Sequence, residues 1–416
     1  MITDDETIDL SSFFTGEVPS HVPPELVRDF PYGLGRKTTE QPHSFIAEIH
    51  KGPPVFWAKH SSATPQGGWI PRRMEDLRAI YSDNEHFSAS SGVSAFAFLV
   101  GESWMNVPAE LDPPLHTGIR SAINPLFTPR RMAALDDTVR MHARAAIARF
   151  KDKGACELMG DFALEFPIRV FLELMGLPQS DMKQFLDWEH ALLHSMSFSS
   201  IMKAVRAVVD YLRAEIEVRR TAPRDDFISY GLTAEVEGRR FTEDELMGFC
   251  FNLFVGGLDT VSTNIGHQFR HLAERPDHQA LLRAEPERIP GAIEELMRSY
   301  AAVGTARRCV KQIEIGGVTM MPGDQLMLST FLAARDPEAF ENPEVVDFDR
   351  KPRHVSFGYG VHTCIGMHLA KREMRIAMEE FFAAIPPFAV KPGVEIESYL
   401  GGMISPIELP LVWSTH

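Results

Sequence analysis

Residues 357–366 read FGYGVHTCIG. A single cysteine, Cys364, stands among three glycines, with Phe357 seven positions before it. Glycine is used where the backbone must turn left-handed or approach another group closely. The stretch runs into a segment in which Met367, Ala370, Met374, Ala377 and Phe381 share one helical face. A cysteine at the start of a helix meets unpaired N–H groups and the positive end of the macrodipole. Both lower a thiol's pKa and favour the thiolate, the form that binds metal. Local physics leaves two readings open, a metal-ligating thiolate and a buried structural cysteine, the commonest fate of a lone Cys.

The rest of the chain narrows the class. Its 416 residues are 44% hydrophobic and 24% charged, an ordinary globular composition. No linker-like, low-complexity or repeated segment interrupts it, so a single domain over 1–416 is expected. The net charge of −15 argues against nucleic acid as a partner. Cys156, Cys250, Cys309 and Cys364 lie far apart with no CxxC pair, which suits a reducing cytoplasm and excludes a zinc-type cluster. The acidic stretch 1–14 lacks the pattern of a signal peptide, and no run of 18 apolar residues predicts a membrane span.

Helical periodicity dominates. Segment 242–274 opens with Thr242 and Glu245 at capping-box spacing and continues through Leu246, Cys250, Leu253, Val261, Ile265, Phe269 and Leu272. Unbroken, it would be a central helix of ~50 Å. Further helices are expected at 74–86, 115–126, 131–151, 162–175, 201–220, 288–300 and 366–384. Strands are expected at 54–60 and 67–72, within 306–328 and at the C-terminal end. Within the long helix, Gly256–Gly257 and then Asp259–Thr260 break the apolar pattern. Close helix packing accounts for the glycines on local grounds alone.

Phe357, Gly360, Cys364 and Gly366 match every fixed position of Phe-x-x-Gly-x-x-x-Cys-x-Gly, and the chain thereby resembles the cytochrome P-450 family, soluble bacterial class, with camphor-hydroxylating members most similar. The resemblance implies a mainly α fold with minor β, a triangular haem-thiolate prism around a long central helix. It makes haem b (iron protoporphyrin IX) the cofactor and Cys364 its axial, metal-binding ligand, donating electron density to the iron. Phe357, Gly360 and His362 belong to that loop. Glu295 and Arg298 match the family's Glu-x-x-Arg, with Arg350 as a second arginine, all holding the loop in place. His116, Arg120, Arg307 and His362 match the positions that neutralise the haem propionates.

Asp259–Thr260 resembles the family's acid–alcohol pair, and by that resemblance Gly256 and Gly257 would leave room for O2, Thr260 would hydrogen-bond the oxygen and Asp259 would relay protons from solvent. The same resemblance assigns substrate contacts to Phe96 or Phe98, Trp104, Asn252, Val255, Val303, Met403 and Ile404. None is charged, so a neutral hydrophobic terpenoid is expected, either a norisoprenoid such as an ionone or a monoterpenoid ketone. Trp104 replaces a tyrosine that holds a substrate ketone, and keeps one donor. Electrons would come from a [2Fe–2S] ferredoxin with its NAD(P)H-dependent reductase, steered by Arg78, Arg120, Lys371 and Arg372. The protein would be a cytoplasmic monomer. A haem-thiolate sensor or isomerase is the alternative; it would keep Cys364 with no use for Asp259–Thr260.

Overall fold

The computed structural model describes residues 16–33, 35–61, 67–193, 195 and 197–415, so the acidic stretch 1–14 lies outside the described residues. The chain forms two compact units interleaved in sequence. One comprises Ser88–Arg131 and Pro167–Asp259; the other holds described residues 16–87, 132–166 and 260–415.

The first unit is helical. Phe198–Thr221 buries Ala204, Val205, Val208, Val209, Leu212 and Ile216 along one face, which packs on Met182–Leu193, Phe227–Thr233 and Glu243–Gly257. Arg219 on this helix is fully buried. It donates to Asp226 Oδ2 at 2.9 Å and to the Gly176 carbonyl at 2.7 Å, so its charge is paired before it is desolvated. Asp226 also caps Phe227–Thr233 through the Ser229 amide. The expected capping box is present: Thr242 Oγ1 accepts from the Glu245 amide and Glu245 Oε2 from the Thr242 amide.

In the second unit a sheet runs in the order Val27–Arg28, Val55–Ala58, Gly68–Pro71, Gln325–Ser329 and Gly304–Cys309. The expected pair 54–60 and 67–72 forms antiparallel, with Trp57 opposite Trp69. Its core joins Trp57, Trp69, Leu77, Ile80, Phe87, Leu326 and Leu328. Helix Met367–Ala384 packs on Asp136–Ile147 and Ile289–Ser299. Asp136 holds Arg372 and Arg375, while Glu380 holds Arg140 and Arg144.

Three expectations need correction. Segment 242–274 is two helices, Glu243–Gly257 and Asp259–Glu274, parted at Leu258, whose φ of −99° and ψ of −72° depart from ideal helical values. Two successive glycines weaken the helix immediately before that point. By length and composition this segment is the one candidate span among the described residues, yet 67% of its apolar window is buried inside the fold. Second, the helix expected at 74–86 stops at Ser82, because Asp83 Oδ1 accepts the amides of Glu85 and His86 and turns the chain. Third, 131–151 divides into Pro129–Ala133 and Asp136–Ile147.

Histidines fill the interior beside helix Asp259–Glu274. His43 Nε2 bonds the Ala301 carbonyl at 3.0 Å and His267 Nε2 the Ile404 carbonyl at 2.9 Å. His271 bonds Tyr300 Oη at 2.9 Å and His278 at 2.8 Å. Burial pushes His267 down to about 4 and His271 down to about 3, so both are neutral in the fold. The unfolded chain, with ordinary imidazoles, binds more protons below pH ~6.5, so stability falls as pH drops from there toward the folded values. Between pH 7 and pH 5 each of these histidines removes about 2 kcal/mol. Urea midpoints across that range should drop, and His267→Gln should flatten the slope by roughly one proton. An unchanged slope in that variant would place the titration elsewhere.

Candidate active site

The site starts from a buried ion network. Helix Ile289–Ser299 places Glu295 and Arg298 one turn apart, both fully buried, with two N–H···O contacts of 2.8 Å between them. Arg298 spends its remaining donors on the carbonyls of Ala334, Pro343 and Val345 and on Ser299 Oγ. Glu295 Oε1 also accepts from Arg350 Nε and from the Asp347 amide, both at 3.1 Å. The segment 334–350, which follows the short helix Thr330–Ala333, is thus fastened to helix Ile289–Ser299 by charge-assisted bonds.

From this anchor the chain enters the cysteine loop. Ser356 Oγ donates to the Met297 carbonyl at 2.8 Å, and His354 bonds Glu294. The Gly358 amide donates to the Val355 carbonyl and the Cys364 amide to the Phe357 carbonyl, each at 2.8 Å. Gly358 and Gly360 take φ of +73° and +67°. At Gly360 a Cβ would also lie 3.0 Å from the Tyr81 carbonyl, so both angle and space require glycine. The loop ends with Cys364 on its exposed side, three residues before helix Met367–Ala384. Cys156, Cys250 and Cys309 are buried, and burial raises the pKa of each.

Tyr81, which sequence reading passed over, joins two expected site elements. Its carbonyl abuts Gly360, its hydroxyl bonds Thr305 at 2.7 Å, and the Arg307 guanidinium lies 5.3 Å from its ring. Arg307 is buried, and His362 sits half-buried in the turn Gly360–His362. Val303 and Met403 face each other in an isolated bridge and stay partly accessible. Ile404 is fully buried beside them, its carbonyl taken by His267.

Asp259, 3% exposed, opens helix Asp259–Glu274, and Thr260 follows, half-buried. Asn264, a residue the sequence reading missed, donates to the Thr260 carbonyl at 2.7 Å. A polar residue four positions after Thr260 was the available signal. In the first unit, Asn252, Val255 and Gly256 are accessible near the C-terminal end of helix Glu243–Gly257, and a Cβ on Gly256 would meet nothing within 4 Å. His116 is buried and Arg120 half-buried on Leu115–Ile123, one turn apart. Phe96 packs 5.5 Å from Phe251, whereas Phe98 is 77% exposed.

Two expectations change. The donor of Trp104 is already used: its indole N–H is bonded to Glu102 Oε2 at 2.7 Å. Two of the four cations of the basic patch are paired with carboxylates, Lys371 with Glu294 and Arg372 with Asp136, whereas Arg78 and Arg120 donate to neutral acceptors, the Arg353 carbonyl and Asn124 Oδ1.

The model of the family described as Cytochrome P450 matches residues 83–397. The chain belongs to the cytochrome P450 family. It is 38% identical over 407 residues to the probable cytochrome P450 127A1 of Sinorhizobium fredii, covering 96% of this chain and 98% of that one. It is 31% identical over 354 residues to the mycinamicin IV hydroxylase/epoxidase of Micromonospora griseorubida, covering 83% and 89%. The crystal structure of cytochrome P450 CYP101C1 matches with a TM-score of 0.86 at 32% identity, over 96% of this chain and 100% of that one.

Cytochromes P450 are monooxygenases built on haem b. The residues here fit that group: the glycine loop presents one exposed thiol three residues before a helix, while the other three cysteines are buried.

Replacing Glu295 by Gln leaves Arg298 charged and buried, which should cost about 3–5 kcal/mol. The same change at half-exposed Glu294 should cost under ~1 kcal/mol. Urea denaturation and haem retention of the two variants check the contrast; equal losses would remove the buried pair as the anchor.

Proposed function

We propose that this P450 hydroxylates a neutral, mostly hydrocarbon terpenoid, using O2 and two electrons from a [2Fe–2S] ferredoxin and its NAD(P)H-dependent reductase. The observation that carries the substrate class is the chemistry of the accessible side chains. Phe96, Phe98, Val255, Val303 and Met403 offer apolar surface, and Asn252 is the one polar group among them. A charged substrate would be desolvated against them without a partner, at a cost of several kcal/mol. With Trp104 bonded to Glu102, shape decides more than hydrogen bonding at that wall. An ionone-like norisoprenoid suits it better than camphor. No disulfide joins the four cysteines, and we place the protein in the cytoplasm.

When bound, haem b supplies the activation of dioxygen. Cys364 would hold it, with His116, Arg120, Arg307 and His362 as the donors for its propionates. Among the chain's own residues, Gly256 and Gly257 leave room beside the helix, and the Thr260 hydroxyl holds a proton for transfer. Asp259 carries that proton inward from solvent, a general-acid task suited to a carboxylate at a helix break. Asn264 keeps the Thr260 carbonyl occupied and so steadies the first turn.

Thr260→Ala should continue to consume O2 and NAD(P)H-derived electrons but release hydrogen peroxide in place of product, whereas Asp259→Asn should slow O2 consumption itself. Oxygen-electrode and peroxide assays with a reconstituted ferredoxin system check both. Full coupling in Thr260→Ala would remove that hydroxyl from the proton path. On the substrate side, spin-shift titrations should give tight binding of cyclic norisoprenoids and weak binding of camphor. The reverse order would overturn the substrate reading.

A further inference from the structure

The loop 94–104 is tied down by more bonds than its length requires. Its two ends meet where the Ser94 amide donates to the Trp104 carbonyl at 3.0 Å. Asn106 donates to Ser94 Oγ at 2.9 Å and is itself bonded twice to Glu110. Between them, short helix Ala95–Leu99 carries Phe96 and Phe98, and Gly101 at φ +76° turns the chain back. Glu102 stands directly after that turn. Its Oε2 accepts the Trp104 indole N–H at 2.7 Å, and its Oε1 accepts from Arg213 at 3.0 Å. Arg213 lies on helix Phe198–Thr221, and Arg206 of the same helix donates to the Val100 carbonyl at 2.8 Å.

We propose that Glu102 is a positioning residue that sets substrate preference, by binding the one donor of Trp104 and strapping loop 94–104 to helix Phe198–Thr221. The proposal rests on the reading above that this loop walls the substrate pocket. Tryptophan has a single donor, and a buried indole N–H seeks an acceptor. Trp104 is 2% exposed, its ring 4.6 Å from that of Phe251, the residue before Asn252. Two acceptors compete for its N–H, a carboxylate two residues away and a carbonyl on a ligand. Glu102 takes it, and an ionised acceptor forms the stronger bond. A ketone on the substrate therefore gains nothing from Trp104, and the ring acts as an apolar wall. Without Glu102 the N–H is an orphan, and a ligand carbonyl becomes its best partner.

The test uses the haem-loaded protein and two probes of one skeleton, the ketone camphor and its parent hydrocarbon camphane. Spin-shift dissociation constants are measured for the wild type, Glu102→Gln, Glu102→Leu and the double variant Glu102→Leu/Trp104→Phe. Glutamine keeps an acceptor for the indole and should preserve the wild-type ratio of the two constants. Glu102→Leu should shift that ratio toward camphor by about 5–10-fold, the worth of one hydrogen bond. The double variant should return it to the wild-type value. Weakening of both probes alike, or a shift that survives in the double variant, would reduce Glu102 to a structural tie and overturn the proposal.

Hydrogen exchange over 94–104 reads the strap without substrate. It should quicken at least several-fold in Glu102→Leu and Arg213→Met, with unfolding temperatures near the wild type. A wild-type protein that binds neither probe nor any other terpenoid overturns the substrate reading instead. Unchanged exchange in both variants would then overturn the strap as well.

Discussion

Glu295 has no solvent to screen it. It lies fully buried between Arg298 and Arg350, and Arg298 spends its donors on Glu295, on three backbone carbonyls and on Ser299 Oγ. Such a network adds little net stability over apolar packing, but breaking one side of it is expensive. Its effect is therefore to make one arrangement of segment 334–350 far better than its neighbours. The cysteine loop hangs from that arrangement through Ser356 on Met297 and His354 on Glu294. A thiol intended for a metal must be exposed and yet immobile, and a glycine-rich loop alone gives only exposure. The buried charges supply the immobility.

The same trade recurs at the helix of Gly256 and Asp259. Two glycines weaken a helix that packing would otherwise carry unbroken through the core, and the break at Leu258 follows. Open space beside Gly256 and a buried carboxylate in the next helical turn are the local result. In loop 94–104, the Glu102–Arg213 pair and the Arg206–Val100 bond do for a short aromatic segment what Glu295 does for the cysteine loop. In each case charge or hydrogen bonding fixes a segment whose own sequence would leave it loose.

Much of this was legible in the sequence, for reasons that differ by element. The cysteine loop, the helix after it and the capping box at Thr242 depend on local spacing, and the structure has them where the spacing places them. The Glu-x-x-Arg motif shows the limit. Glu217 and Arg220, and Glu285 and Arg288, form the same one-turn ion pair, but on the surface. Spacing fixes the pair; only tertiary packing buries it. The helix 74–86 ended early because the Asp83 side chain competes for backbone amides, a contest that periodicity does not register. Half of the basic patch is paired off for a similar reason. Glu294 and Asp136, which neutralise Lys371 and Arg372, lie far away in the chain. The bond from Trp104 to Glu102 spans two residues and could have been suspected, yet an indole N–H gives no sign of its acceptor until the loop is folded.

The central claim is that Cys364, held out by this loop, is the thiolate on the haem iron. The absorption spectrum of the reduced protein under carbon monoxide tests it most directly. The account predicts the strongly red-shifted Soret band of a thiolate-ligated haem in the wild type, and its loss in Cys364→Ser even where haem is retained. A wild-type band of the histidine-ligated kind, or a thiolate-type band that survives in Cys364→Ser, would contradict it.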